Sequence, residues 1–165
     1  MPDIHRIGVI SDTHIPKRAE RVPDAALRHF EGVELILHAG DLSVLAMLDQ
    51  LAAYAPVEAV QGNVEASEVL MALPLKRELV VGGCAIGLVH ILGDRAHYAR
   101  NARREFASAR VVVFGHSHIP YVEDRDGLLL LNPGSATDRR RQPHCTIALL
   151  TIEDGEPRAE IIALR

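Results

Sequence analysis

The chain contains no tryptophan, and only 4% of its 165 residues are aromatic, so stacking platforms for bases or glycans are not expected. Cysteine is almost as scarce. Cys84 and Cys145 stand far apart, form no CxxC pattern and read as two structural thiols of a reduced, cytoplasmic protein. Excess positive charge is also missing. The formal net charge of −4 argues against strong binding to nucleic acid or to an anionic membrane surface. No apolar run reaches the length of a bilayer span. The opening "MPDIHRIGVISD" lacks the basic start, apolar block and small-residue cleavage site of a secretory leader.

What is present is ordinary in bulk and unusual in one respect. Hydrophobic residues make up 48% and charged residues 24%, as in a soluble globular protein, and the length suits one domain across residues 1–165. Nine histidines is a high number, and their positions decide whether it matters.

Three β-rich runs end in polar residues: "RIGVISDTH" (6–14), "LILHAGD" (35–41) and "VEAVQGN" (57–63). A helix is expected around residues 24–31, with Leu27 and Phe30 on one face and Gly32 as its stop. A second follows Ser43 as N-cap, with Leu45, Leu48, Leu51 and Ala52 as its apolar stripe and Pro56 beyond its end. Alternating strands and helices imply a parallel sheet with right-handed crossovers. The second half reads as three hairpins turning at Gly82-Gly83, Asp126-Gly127 and Asp154-Gly155, with a basic helix over residues 95–109. The expected architecture is α/β: two packed sheets with helices outside.

In such sheets, ligands bind beyond the carboxyl ends of the strands. The polar residues at those ends are Asp12, His14, Asp41, Asn63, His90, His116 and His118. In "VVVFGHSHIP" (111–120), strand alternation would put His116 and His118 on one side, and Asp12 and His14 repeat that i, i+2 spacing. Each residue has an ordinary alternative: Asp12 as a turn cap, Asp41 as a helix cap, Asn63 as a turn former, and each histidine as a hydrogen-bonded surface group. Those alternatives would have to hold independently at five strand ends. A donor set of imidazole, carboxylate and carboxamide without thiolate suits Mn, Fe, Zn, Co or Ni. Seven donors exceed the needs of one ion. Two ions roughly 3.5–4 Å apart, sharing a carboxylate, would use them all.

The ordered pattern "SDTH…HAGD…GN…H…GHSH", extended by "NPGS" at residues 132–135, resembles the calcineurin-like metallophosphoesterase superfamily. The short chain and "SDTHIPKR" look most like its small YfcE-type phosphodiesterases. The resemblance implies an αββα sandwich of two mixed sheets flanked by helices, and a dinuclear divalent-metal centre. Manganese is the first expectation, with Ni, Zn, Fe, Co or Mg as alternatives. By motif position Asp12, His14 and His118 would hold one ion, Asn63, His90 and His116 the other, and Asp41 would bridge. The implied activity is hydrolysis of a small phosphate ester, a diester first, by in-line attack of a hydroxide held between the ions, with Asp41, Asn63 and His90 at the catalytic centre. One relative with this fold, the small retromer subunit, is a protein-interaction scaffold, which supplies the competing reading.

Two positions depart from that pattern. Larger relatives carry histidine after the asparagine, whereas Val64 and Glu65 stand here, and nothing in "GNVEAS" suggests burial of Glu65. Ile91 follows His90 where glycine is common, so a different local backbone is expected. His38 is expected to be a neutral, hydrogen-bonded core residue rather than one that orients a ligand. Ser135 belongs to a tight loop and is no nucleophile. Arg139–Arg141, Lys17 and Arg18 read first as solvated charges, with phosphate clamping as the alternative. Exposed sheet edges would permit a homodimer.

Overall fold

The computed structural model describes residues 1–165. In chain order the elements are β1 (Ile4–Ile10), α1 (Asp24–His29), β2 (Leu35–His38), a 3₁₀ turn (Leu45–Met47) running into α2 (Leu48–Ala52), β3 (Val57–Ala59) and α3 (Ser67–Ala72). Then come β4 (Lys76–Val81), β5 (Cys84–Val89), a 3₁₀ turn (Arg95–His97) leading into α4 (Tyr98–Glu105), β6 (Val111–Val113) and β7 (Tyr121–Arg125). The chain closes with β8 (Leu128–Asn132), β9 (Cys145–Glu153) and β10 (Glu156–Leu164). Two five-stranded mixed sheets result, ordered β10-β9-β1-β2-β3 and β4-β5-β6-β8-β7.

Four layers follow from where the apolar side chains go. Ile7, Val9, Leu37, Ile86, Leu88, Val111 and Val113 meet between the sheets. Leu27, Phe30, Ile36, Leu42, Met47 and Leu51 pack the outer face of the first sheet, and Phe106, Val112, Phe114 and Leu130 that of the second. Because β6 is covered on both faces, Val111, Val112 and Val113 are all buried, which explains an unbroken apolar run in place of alternation. Helix ends come close to the central strands at glycines. A Cβ on Gly8 would lie 2.5 Å from the Phe30 ring, and one on Gly87 2.5 Å from that of Phe106.

All three expected hairpins form. Gly82-Gly83, Asp126-Gly127 and Asp154-Gly155 each have positive φ at both turn positions, as a two-residue type I′ turn requires. The first expected helix, with its stop at Gly32 (φ 81°), also forms. The second differs. Ser43 does not cap it: it pairs as a bridge with Ile15 and Glu65, and the helix begins at Leu45 as a 3₁₀ turn without a side-chain cap. Of the expected stripe, Leu51 is buried and Leu45 and Leu48 pack partly buried against the same cluster beside Met47, whereas Ala52 faces solvent. Helix α3 was not expected from the sequence; only Val69 of it is buried, too little apolar periodicity to read. No helix is long and apolar enough to cross a membrane.

Candidate metal centre

The strands are shorter than the sequence runs suggest, and the donor residues lie in the loops just beyond them. β1 stops at Ile10, β2 at His38, β3 at Ala59 and β6 at Val113. Beyond those ends Asp12, His14, Asp41, His116 and His118 have φ of 54°, 44°, 58°, 75° and 63°. Non-glycine residues in this left-handed region carry about 1–3 kcal/mol of strain each and gather at functional sites. Strand alternation therefore does not place His116 and His118, and their rings do not share a side. The His116 ring lies 5.3 Å from that of His90, and the His118 ring 5.3 Å from that of His14.

Two donor groups form as a result. Asp12, His14 and His118 converge in one, and Asp41, His90 and His116 in the other, each with candidate ligand atoms within 4.8 Å of one another. Asp41 lies between the groups: its Oδ2 is 3.2 Å from His90 Nε2 and 3.6 Å from His14 Nε2. Asn63 joins the second group, with Oδ1 2.9 Å from His90 Nε2 and 3.1 Å from His116 Nδ1.

Each carboxylate commits one oxygen to its own loop and turns the other inward. Asp12 Oδ2 accepts from the Ser11 hydroxyl (2.7 Å) and the His116 N–H (3.0 Å), leaving Oδ1 free. Asp41 Oδ1 accepts from the N–H groups of Asn63 and Val64, both at 2.8 Å, leaving Oδ2 between the groups. Backbone approaches this close exclude a side chain: a Cβ on Gly62 would collide with Asp41 Oδ1, and one on Gly115 with the Ser11 hydroxyl.

The histidines are oriented in the same way. His90 donates from Nδ1 to the Ala39 carbonyl (2.6 Å) and His118 to the Asp138 carbonyl (2.7 Å), so each directs Nε2 into the site. Asp12 Oδ1, His14 Nε2 and His118 Nε2 are buried without any hydrogen-bond partner. Unpaired buried polar atoms are costly and rare, and three converging in one place fit a cation. Oxygen and imidazole nitrogen are the donor types that divalent Mn, Zn, Co or Ni accept.

The electrostatics follow from burial and mutual approach. Burial alone would raise the Asp41 carboxyl, but the hydrogen bond and charge of His90 and the Val64 N–H outweigh it and hold its pKa at about 2. Burial pushes down His14 and His116. It works against His90 and His118 too, but the Asp41 and Asp12 carboxylates beside them prevail and raise both.

His38 is fully buried, and burial lowers its pKa to about 4. Its Nδ1 accepts from the Gly40 N–H (3.1 Å), which leaves the proton on Nε2 to donate to Thr13 Oγ1 (2.9 Å). It is thus the neutral core histidine expected, and it ties the Asp12–His14 loop to the Gly40–Asp41 loop. Ser135 is buried and donates to the Asp12 carbonyl (2.8 Å), while its oxygen accepts from the Asp138 N–H (2.9 Å). Arg18 pairs with Asp138 (3.4 Å) and Arg139 donates to the Gln142 carbonyl (2.7 Å).

Glu65 corrects the sequence expectation. It is half-buried, and burial raises its pKa; its two oxygens accept from the N–H groups of Ser43 (2.7 Å) and Gly62 (2.9 Å). Nor does Ile91 displace its neighbour: its side chain turns outward, 45% exposed, while His90 stays buried. Sequence reasoning missed Thr13, Thr137 and Asp138, whose backbone and hydroxyl bonds hold the donors. Thr137 Oγ1 donates to the Thr13 carbonyl at 2.7 Å, a contact across 124 positions that no local pattern signals.

Two mixed sheets thus carry oxygen and nitrogen donors gathered beyond their strand ends, the makings of a metal-binding site. The chain belongs to the calcineurin-like phosphoesterase superfamily, whose domain model matches residues 6–155. A probable metallophosphoesterase of Methanothermobacter thermautotrophicus is 39% identical over 163 residues, covering 94% of this chain and 91% of that one. Wild-type Vps29 of Entamoeba histolytica, solved in complex with Zn²⁺, is 25% identical, with a TM-score of 0.75 over 97% of this chain and 99% of its own. An archaeal phosphodiesterase shares the fold at a TM-score of 0.71 and 22% identity, over 95% of this chain and 99% of that one.

Proposed function

We propose that the chain hydrolyses small phosphodiesters with the aid of two divalent cations, one held by Asp12, His14 and His118 and the other by Asn63, His90 and His116, with Asp41 shared. The observation that carries this reading is the set of buried, unpartnered atoms Asp12 Oδ1, His14 Nε2 and His118 Nε2 beside an Asp41 Oδ2 that faces both histidine groups. Divalent cations in such a cage lower the pKa of water and neutralise phosphoryl oxygens.

The chain's own residues do the remaining work. Asp41, held ionised, adds its negative charge where both cation positions meet. The Ala39 and Asp138 carbonyls accept from Nδ1 of His90 and His118, so each ring turns Nε2 toward the site. Asn63, tethered through its N–H to Asp41, brings a neutral oxygen to the solvent side of His90 and His116. Pre-set donors of this kind stabilise charge that develops in the transition state without reorganising during reaction.

The test is a hydrolysis panel of aryl monoesters, aryl diesters and cyclic nucleotides after chelation, with Mn²⁺, Ni²⁺, Zn²⁺ or Mg²⁺ restored singly. Restored turnover of the diesters supports the reading; an inert protein under every ion overturns it. The alternative is a protein-interaction scaffold, the role that the resemblance to the small retromer subunit implies. The complete set of competent donors favours hydrolysis over it.

A further inference from the structure

We propose that the groove running from Asn63 and His90 to Lys76 is the subsite for one ester substituent of the substrate, and that it selects a flat, apolar-bodied group with a polar edge, an aryl or nucleoside group, over a small alkyl group. The proposal rests on the phosphoesterase reading and adds a substrate class to it. A cavity of about 410 Å³ opens there, and Asn63 and His90 belong to both the cavity and the donor cluster. A phosphoryl group at the cluster therefore has one of its substituents at the cavity's mouth. The volume falls in the range of sites that enclose small organic ligands, and a methyl or ethyl ester would leave most of it to water.

The walls are apolar and firmly held. Leu75, Val89 and Ile91 line the cavity, and Leu75 and Ile91, 69% and 45% exposed, are open to a ligand entering it. The wall carrying Leu75 is anchored by Gln61, whose side-chain amide donates to the Leu73 carbonyl (2.7 Å) and whose N–H donates to the Pro74 carbonyl (2.9 Å). The subsite is thus largely formed before a ligand enters, which spares the cost of ordering it.

The far end determines the ligand's chemistry. Lys76 Nζ lies 3.1 Å from Glu105 Oε2 and 3.3 Å from the Glu105 carbonyl, and sits over the Phe106 ring at 5.6 Å. Its charge is already matched, so the end does not call for a second phosphate. It offers donors and an acceptor to the edge of a neutral ring.

The test uses two singly charged phosphinates that have no P–O–C bond to hydrolyse, methyl(phenyl)phosphinate and ethyl(methyl)phosphinate, titrated into Zn²⁺-loaded protein and followed by methyl NMR and calorimetry. The phenyl compound should bind about tenfold or more tightly, the scale on which apolar pockets discriminate, and should shift the methyl signals of Leu75, Val89 and Ile91. The neutral substitutions Leu75→Ser and Ile91→Ser, both at exposed positions, should each bring the two affinities within about twofold by weakening binding of the phenyl compound, as expected for loss of an apolar contact. Equal affinities in the wild type, a preference that survives both substitutions, or shifts confined to other residues would overturn the subsite. Turnover of any diester in the metal panel is read separately, so the subsite can fail while the phosphoesterase reading stands. An inert enzyme that still prefers the phenyl probe would separate the two in the opposite sense.

Discussion

Asp12 and His118 face each other beyond the strand ends with Oδ1 and Nε2 3.5 Å apart, and neither atom makes a hydrogen bond. The partner carbonyl of Asp138 fixes the other edge of the His118 ring. The pair is arranged for a third, positively charged participant. A divalent cation at about 100 times its dissociation constant would stabilise the fold by about 2.7 kcal/mol, or roughly 5–10 °C in Tm for a chain of this size. Differential scanning calorimetry after chelation, with Mn²⁺, Zn²⁺, Ni²⁺ or Co²⁺ restored, should show that rise, and His118→Ala should reduce it by more than half. No rise with any of the four would remove the metal reading of this group.

Asp41→Asn should lower activity by about 10²-fold or more, since a neutral carboxamide would hold two cations poorly, and metal analysis should show occupancy falling at both positions. The fold should survive, because the Asn side chain retains an oxygen to accept from the Asn63 and Val64 N–H groups. Undiminished turnover in this variant would rule out a shared carboxylate.

His116→Ala and His118→Ala should weaken different positions, because one ring packs beside His90 and the other beside His14. Anomalous scattering from crystals of each metal-loaded variant should show a different peak reduced. Both substitutions emptying the same position would overturn the partition.

The sequence showed which residues would gather and in what order, but not how the chain would present them. The hairpins were legible because glycine marks positive φ at Gly83, Gly127 and Gly155. The donor loops were not, because aspartate and histidine adopt the same backbone region at Asp12, His14, Asp41, His116 and His118 only under tertiary constraint. The constraint comes from distant contacts, such as the Asp12 carboxylate gripping the His116 N–H across 104 positions. The end of β6 at Val113 illustrates the consequence: an i, i+2 histidine pair read as one strand face is in fact split between two clusters.

His38, which ties the two donor loops together, gives a pH signature in stability. Its folded pKa of about 4 lies below its ordinary 6.5, so between those values the unfolded chain binds a proton that the folded one does not. Stability therefore rises with pH across that window, by up to about 1.4 kcal/mol per unit from this group, and gains nothing from it above 6.5. Urea unfolding of wild type and His38→Gln from pH 4.5 to 7.5 should show the steeper dependence in the wild type below 6.5. Parallel curves would mean that His38 takes up a proton while folded.

The residue after Asn63 sets the last expectation. Val64 is 47% exposed beside the donor cluster and can donate no proton to a departing oxygen, a contribution of roughly 10²–10⁴-fold where general acid catalysis is fully engaged. Glu65 is the nearest carboxyl in sequence, and burial does raise its pKa, but both of its oxygens are turned to the backbone N–H groups of Ser43 and Gly62. It joins two loops, with both oxygens engaged in doing so. Esters whose leaving groups depart unaided should therefore be turned over readily, and alkyl esters with basic leaving groups slowly. Across a series of aryl diesters sharing one retained group, log kcat/KM should fall steeply with leaving-group pKa, provided chemistry limits the rate. Glu65→Gln should leave that slope unchanged even where the loop contacts weaken and the absolute rate drops. A flat dependence in the wild type that becomes steep in Glu65→Gln would make Glu65 the acid, and one that stays flat would direct the search to His90.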